Sequence, residues 1–301
     1  MIQQETMTES SLSVKELCDL AGVSRSGYYR WVNASDTRRY REKRDLEDFE
    51  LIKTAYEFRG YAKGYRSICM RLFRMGFRMN HKKVKRLMKK FGLFCPIRKA
   101  NPYRRMAKAL KTDAVVPNHV NREFRRHGPR KVLLTDITYI RFADGFCYLS
   151  VIKDAFTMQI LAYQLSSSLA VDFVLDTVKQ LLREYPELLN ATAWLHSDQG
   201  CHYTSIAFRN LLKDGTLRQS MSRRGNCWDN APQESFFGHM KDELAPYIPS
   251  WKTFEDVKAR IDDWMDYYNN DRYQTLLHGM SPNEYYKYIK TNELPSAFKL
   301  L

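Results

Sequence analysis

The chain has 301 residues, of which 44% are hydrophobic and 13% aromatic. This length suits about two folded domains, and the apolar content excludes a disordered or low-complexity protein. Lysine and arginine number 49 against 34 aspartates and glutamates, so the net charge is +15. Residues 1–130 carry 31 basic and 13 acidic residues, whereas residues 131–301 carry 18 and 21. We therefore expect a basic N-terminal region that binds a polyanion, followed by a near-neutral region with a different task.

The sequence shows no sign of a membrane segment or of disulfide bonds. Its mean hydropathy is −0.54, and we find neither a run of about 18 apolar residues nor a secretion signal. We therefore expect a cytoplasmic protein without membrane contact. The six cysteines are scattered without a CxxC pair, which favours reduced thiols over disulfides or structural zinc.

Residues 14–32 have the pattern of two short helices around a turn. Ser24 is placed to cap the second helix, and Trp31 is expected to face back onto the first. In a helix-turn-helix arrangement, the second helix would present Arg25 and Arg30 to phosphates or to base edges of DNA. An ordinary helical hairpin is the alternative, and the positive charge of the region favours the nucleic-acid interpretation.

A long stretch without acidic residues follows. From residue 58 to residue 112 the chain has 18 lysines and arginines and no aspartate or glutamate, whereas a merely solvated surface mixes both signs. Asn80 is predicted to begin an amphipathic helix that Gly92 ends. A generic basic surface is the alternative to nucleic-acid binding. The outward cations of this helix are expected to neutralise phosphates: Lys82, Lys83, Lys85 and Arg86.

From residue 131 onward the pattern changes from helical to strand-like. Apolar, β-branched and aromatic runs with a hairpin turn near residue 144 predict three antiparallel strands, and later segments alternate between helix and strand. This order indicates an α/β core. The predicted strands and helices, in chain order, are residues 132–140, 146–152, 159–165, 171–185, 191–195, 205–213 and 217–220.

Three acidic residues are expected to meet at one edge of this core. Asp136 lies in the first predicted strand and Asp198 at the end of the fourth, while Glu234 stands near the start of a helix that Asn230 is predicted to cap. Three close carboxylates repel one another, so divalent cations such as Mg²⁺ would explain the cluster. Taken singly, each acid could equally be solvated or cap a helix. Asp154, at a strand end, is the alternative ligand, with a capping role as its simpler explanation.

Three sequence blocks resemble the catalytic blocks of a known family. They are residues 135–139, 196–200 and 224–237, and they resemble those of bacterial insertion-sequence transposases with a retroviral-integrase-type core. The resemblance is to the second-frame product, OrfB, of the two-frame insertion sequences. Between Asp198 and Glu234 lie 35 residues, the interval of the DD(35)E group. The similarity extends over most of the chain, and three ordered motifs are far more specific than one.

The resemblance implies an α/β fold in which an RNase H-like catalytic core follows all-α helix-turn-helix DNA-binding modules. The implied activity is a DDE-type polynucleotidyl transfer, in which DNA strands are cleaved and transferred at the element ends. We expect four regions: an N-terminal helix-turn-helix region, a basic helical region with linker, the core with its C-terminal helices, and a tail, namely residues 1–57, 58–117, 118–285 and 286–301.

The resemblance also implies site residues and cofactors. Asp136, Asp198 and Glu234 would hold two Mg²⁺ ions, with Mn²⁺ as a substitute. Lys241, seven residues after Glu234, would lie two helical turns along the same face and would bind DNA at the element end. The basic loop before this helix is expected to add two more DNA contacts, Arg223 and Arg224.

The expected partners are the inverted-repeat ends of the element and the target DNA, which would place the protein at the nucleoid. A homo-oligomer is expected, and a first-frame OrfA partner or fusion is a further expectation. Two other functions stay open at this point. A helix-turn-helix regulator without catalysis would leave the 35-residue spacing unexplained, and an RNase H-like nuclease would leave the basic helical modules unexplained.

Overall fold

The computed structural model of the protein describes most of the chain. The described residues are 13–96, 115–143, 145–190, 192–214, 216–223 and 227–299. Among them, none of the helices combines the length and the apolar character that a membrane crossing requires.

The chain begins with the expected helix pair, α1 (Val14–Leu20) and α2 (Arg25–Asn33). Ser24 caps α2, because its Oγ accepts a hydrogen bond from a backbone N–H of the first turn at 3.1 Å. The expectation that Trp31 faces α1 is wrong, since the residue is 49% exposed. The guanidinium of Arg38 stacks over its ring at 4.1 Å instead. Helix α2 has no buried residue, so the pair packs too lightly to cover this indole.

Three further helices form one small hydrophobic core. They are α3 (Ser35–Glu57), α4 (Tyr65–Arg74) and α5 (His81–Lys90). Asn80 caps α5 as predicted, since its Oδ1 accepts a backbone N–H at 2.8 Å, and Gly92 follows with a φ of +70° that suits a helix end. The cluster extends to both sides of the boundary predicted after residue 57, which stays a prediction. Its buried members are Ile52, Ala55, Ile68, Leu72, Val84, Leu87 and Met88.

A five-stranded mixed sheet forms the centre of the second half, with the order β3-β2-β1-β4-β5. The strands β1 (Val132–Phe142), β2 (Gly145–Asp154) and β3 (Ile160–Ser166) are antiparallel neighbours. The strands β4 (Ala193–Ser197) and β5 (Leu217–Met221) continue the sheet in parallel from β1. The predicted strands are thereby confirmed in number and order.

Helices cover both faces of this sheet. On one face lie α6 (Asp172–Glu184), α7 (Cys201–Thr204) and α8 (Ile206–Asp214), and on the other lie α9 (Ala231–Leu244) and α10 (Phe254–Asn270). Successive side chains of a strand point to opposite faces, so neighbouring residues of β2 serve different cores. The following pairs show this: Val151 packs with Phe236 and Trp264, whereas Ile152 packs with Phe173 and Phe208.

The C-terminal segment adds α11 (Pro282–Thr291) and α12 (Ser296–Lys299). A separate apolar cluster of Leu277, Met280 and Tyr285 holds this segment against the turn between β2 and β3.

The basic helical region contacts the C-terminal helices through arginines. Arg59 forms an ion pair with Asp266 of α10, and Arg74 pairs with Glu284 of α11. Part of the positive charge of the N-terminal half is therefore used within the chain, where it binds acidic side chains of the second half.

Candidate active site

The first two acids of the predicted cluster lie side by side because of the strand register. In the parallel pair β1 and β4, Leu134 stands opposite His196. Two residues further along the chain from each of them come Asp136, within β1, and Asp198, directly after β4, so the two aspartates are neighbours. Asp136 thus lies inside β1, beside the carboxyl end of β4, and the carboxyl ends of parallel strands are where α/β sheets place their ligands.

The carboxylate of Asp136 is held by uncharged donors. Its Oδ1 accepts the backbone N–H of Ile137 at 2.8 Å, and its Oδ2 accepts the side-chain amide of Asn230 at 3.1 Å. Burial of the carboxyl group and the nearby Asp198 and Glu234 raise the pKa of Asp136 to about 8. A carboxylate with such neighbours is unfavourable unless a positive charge joins it.

Asp198 lies at the surface of the same edge, directly after β4. Its Oδ1 accepts the backbone N–H of Gly200 at 2.9 Å. A Cβ at position 200 would stand 2.9 Å from that same oxygen, so only glycine leaves this carboxylate in place. Atoms packed around the group raise the pKa of Asp198 above its usual value.

Glu234 lies in the first turn of α9 and is exposed to solvent. Its charge contributes to the raised pKa of Asp136, which shows that the two groups are neighbours. Within the part of the chain that the structure describes, no three His, Cys, Asp or Glu side chains form a metal-binding group. The two aspartates are therefore neighbours and Glu234 lies near them, but the three carboxylates are not close enough together to form a metal-binding group.

The prediction that the side chain of Asn230 caps α9 is wrong. The residue has φ −124° and ψ 15°, and its side chain makes no capping hydrogen bond. Its amide nitrogen donates to Asp136 instead, and its buried Oδ1 has no hydrogen-bond partner among the described residues. Sequence reasoning noted this residue within a motif and missed its contact with the site.

The loop that leads into α9 is fixed by a buried aspartate. Asp229 accepts hydrogen bonds from Arg122 at 2.7 Å, from Arg223 at 2.9 Å through two nitrogens, and from Asn118 at 3.0 Å. These partners, Arg223 foremost, hold the pKa of Asp229 far below its usual range. Arg223, a predicted DNA contact, thus has a structural partner. Arg224 lies outside the described residues.

A neutral histidine of the sheet, His196, is hydrogen-bonded to the backbone of the same loop. His196 is fully buried in β4, and burial lowers its pKa to about 4. Its Nε2 lies 3.0 Å from the backbone carbonyl of Asp229, and its Nδ1 lies 2.9 Å from Oγ of Ser220. Since a carbonyl only accepts, Nε2 carries the proton.

Asp154, the alternative metal ligand, has a structural role. It is fully buried at the end of β2. Its carboxylate accepts the Thr157 hydroxyl at 2.8 Å and the Phe156 N–H at 2.9 Å, and it pairs with Arg130. The capping explanation is confirmed, and these partners leave no role for it as a ligand beside Asp198.

Some of the predicted DNA contacts form ion pairs within the chain, and as DNA contacts all of them stay predictions. Lys83 forms an ion pair with Asp48, and Arg86 binds Asp45 at 2.7 and 2.8 Å through two nitrogens. Lys241 lies on α9, two turns after Glu234, and is partly exposed. Four others are exposed: Arg25, Arg30, Lys82 and Lys85.

The sheet order, together with one carboxylate on β1 and a second directly after β4, defines an RNase H-like catalytic core. The family described as Integrase core domain matches residues 126–227, and a second family of that description matches residues 234–288. The first match contains both aspartates and the second begins at Glu234. The family described as HTH-like domain matches residues 43–101.

Relatives agree over most of the chain. A transposase-like protein of Haemophilus influenzae is 38% identical over 69% of this chain and 93% of its own length. InsK of Escherichia coli strain K12, assigned to insertion sequence element IS150 as its transposase, is 32% identical over 90% of this chain and 92% of its own length. The chain belongs to the insertion-sequence transposases with an integrase core domain.

Solved structures with detectable similarity include two retroviral integrase cores. The HTLV-2 integrase catalytic core in complex with magnesium shares 16% identity over 51% of this chain and 94% of that chain, with a TM-score of 0.40. The BIV integrase catalytic core shares 20% identity over 54% of this chain and 98% of that chain, with a TM-score of 0.41.

Proposed function

We propose that this protein is a DDE-type transposase that cleaves DNA strands at the ends of an insertion sequence and transfers the freed ends to other DNA. The observation that carries this proposal is the pair of Asp136, on β1, and Asp198, directly after the neighbouring β4, both held by uncharged donors. Two neighbouring carboxylates, one of them partly buried, repel each other when no cation lies between them. The presence of this pair therefore favours a site that recruits cations from solution.

The donor set suits a hard divalent cation. Asp136, Asp198 and Glu234 offer only oxygen, and the buried Oδ1 of Asn230 is a further oxygen without a partner among the described residues. Mg²⁺ and Mn²⁺ prefer such ligands. When bound, two ions would activate the attacking oxygen and stabilise the leaving oxygen of a phosphodiester.

Residues around the carboxylates orient them. Asn230 holds one oxygen of Asp136, and Gly200 leaves room for the oxygen of Asp198. Lys241 stands seven residues after Glu234 on α9, a rise of about 10 Å along the helix. That distance is too long for metal chemistry and suits a contact between its ammonium group and a phosphate of the bound strand.

The helical region supplies DNA affinity. Exposed cations on α2 and α5 are Arg25, Arg30, Lys82 and Lys85. Each phosphate they neutralise releases counterions, so binding should weaken steeply with salt. We further propose that the protein acts at the nucleoid as a homo-oligomer, with a first-frame partner or fusion, because two element ends must be joined in one reaction.

The test uses the DNA that flanks the reading frame in the genome. Duplexes that carry its terminal inverted repeats are incubated with the full-length protein and Mg²⁺. The proposal expects 3′-strand cleavage at the repeat end and covalent joining to a second duplex, both absent with EDTA. Cleavage without joining would support the nuclease alternative. Specific binding without cleavage would support the regulator.

A further inference from the structure

A lysine is buried beneath the helix that carries Glu234. Lys153, near the end of β2, is 2% exposed. Its Nζ donates to the backbone carbonyl of Pro232 at 2.7 Å and lies 5.1 Å from the centre of the Phe236 ring. Both partners belong to the first turns of α9, so this side chain ties the sheet to the start of the helix.

The strand register places this lysine on the face of the sheet that carries Asp136. Lys153 stands opposite Leu134 in the antiparallel pair of β1 and β2, and directly opposed residues share a face. Leu134 and Asp136 are two residues apart on β1, so they share that face as well. Lys153 is therefore a diagonal cross-strand neighbour of Asp136, and its Nζ lies against the first turn of α9.

Side-chain contacts with the sheet fix the start of α9, which has no side-chain cap. The Asn230 side chain does not cap the helix, and the segment from residue 229 to residue 232 is bonded to the sheet instead. Glu234 follows two residues later, so its position depends on these bonds. The three contacts are His196 with the Asp229 carbonyl, Asp136 with the Asn230 amide, and Lys153 with the Pro232 carbonyl.

The bond of Lys153 differs from an ordinary ion pair. Burial, with a smaller effect of Arg272, lowers the pKa of Lys153 to about 7. An apolar side chain would fill the same space without this electrostatic cost. Because both the ammonium and the neutral amine can donate a hydrogen bond, the contact with Pro232 persists in either state.

We propose that Lys153 is a positioning residue, which holds the first turn of α9 against the sheet so that Glu234 faces Asp136. This inference rests on the proposed function, in which Glu234 is a metal ligand. A side chain that merely fills the core would contribute to stability alone. A positioning residue contributes to the order of one helix turn and to metal affinity.

The experiment uses Lys153→Met in the full-length protein, because methionine keeps an unbranched side chain and removes the donor. We expect amide hydrogen exchange in residues 231–240 to become about tenfold faster, as for the loss of one hydrogen bond from a charged donor. We expect Mn²⁺ binding, followed by electron paramagnetic resonance, to weaken by about tenfold. DNA affinity and the urea midpoint of unfolding should not fall.

Lys63→Met is the matched control. Lys63 is also buried, and its Nζ donates to three backbone carbonyls of the helical region, those of Tyr56, Phe58 and Tyr61. This variant should lower the urea midpoint and leave both the exchange of residues 231–240 and Mn²⁺ binding unchanged.

Unchanged exchange and unchanged Mn²⁺ binding in Lys153→Met would overturn the proposal, as would a general loss of stability like that of the control. If Lys153→Met does not fold, Lys153→Gln is measured in the same way, because its side chain is one bond shorter and ends short of the Pro232 carbonyl. Unchanged exchange and unchanged Mn²⁺ binding would again overturn the proposal. Glu234→Gln distinguishes a failure of the proposed metal site from a failure of the positioning role of Lys153. If it leaves Mn²⁺ binding intact, the metal assignment fails, whereas the exchange result for Lys153 still reports on positioning.

Discussion

Two kinds of buried or partly buried carboxylate lie within this core, and they differ in what faces them. Asp229 and Glu243 bind arginines: Glu243 accepts two hydrogen bonds from Arg272, at 2.9 and 3.1 Å, and a third from Trp264 at 3.0 Å. Asp136, by contrast, receives its hydrogen bonds from a backbone N–H and an amide.

This difference separates structural carboxylates, called anchors below, from the proposed metal ligands. Where the chain supplies the cation, the pKa of the carboxyl group falls, as for Asp229, and the bond fixes two segments together. Where only neutral donors are present, the pKa rises, as for Asp136, and a nearby cation would be needed to ionise the group fully at neutral pH. A carboxylate that is desolvated and unmatched by arginine or lysine is therefore a better sign of a metal site than proximity of acids alone.

The strongest test removes the unmatched charges one at a time. We expect Asp136→Asn, Asp198→Asn and Glu234→Gln each to lower Mg²⁺-dependent cleavage at least about a thousandfold, because a metal ligand is lost. DNA binding, measured by fluorescence anisotropy, should change little. Near wild-type cleavage by any of the three would remove that residue from the site.

The anchors should respond in stability instead. Glu243→Gln removes a buried carboxylate and leaves the partly buried Arg272 without its counter-charge, so we expect the free energy of unfolding in urea to fall by about 3 kcal/mol. Glu255→Gln, at an exposed position in the first turn of α10, is the control and should stay within about 0.5 kcal/mol. Equal effects of the two substitutions would contradict the anchor role.

Lys153 is the reverse case, because it is a buried amine that donates to a backbone carbonyl. Its lowered pKa predicts that the stability of the protein depends on pH. The pKa of Lys153 is about 7 in the folded protein and about 10.4 in an unfolded chain. Between these values the unfolded chain holds a proton that the folded protein has released, so stability rises with pH. We expect the stability of the wild type relative to Lys153→Met to increase from pH 7 to pH 10 in urea titrations. A constant difference would show that the lysine is solvated.

The smallest effect is expected where pairing is solvent-exposed. Asp45 of α3 binds Arg86 and Lys90 of α5, and Asp45→Asn should change the unfolding free energy by no more than about 1 kcal/mol. The same change releases two cations. We therefore expect the log-log salt slope of DNA binding to steepen by about one to two units.

Asp36→Asn, in the first turn of the same helix, removes an equal charge and serves as the control for Asp45→Asn. It should steepen the slope less. An identical response of the two variants would show that Arg86 and Lys90 do not contact phosphates.

Local pattern predicted much of the fold. Period-2 and 3.6-residue patterns located β1 to β5 and most of the core helices, because each pattern reports which face of one element is buried. Helix α3 escaped this reasoning. It has 23 residues, of which only Ile52 and Ala55 are buried, so it presents no apolar stripe to recognise.

The sequence by itself determined the element order, the charge division and the three acids, since order, charge and spacing are properties of a linear chain. The tertiary structure alone decided which donors meet them. The Asn230 side chain, predicted to cap a helix, donates to Asp136, and Lys153 donates to a carbonyl in the first turn of α9. Arg223 likewise pairs with Asp229. The partners in the first two contacts are separated by 94 and 79 residues, and such contacts depend on strand register and helix packing, which leave no periodic trace in the chain.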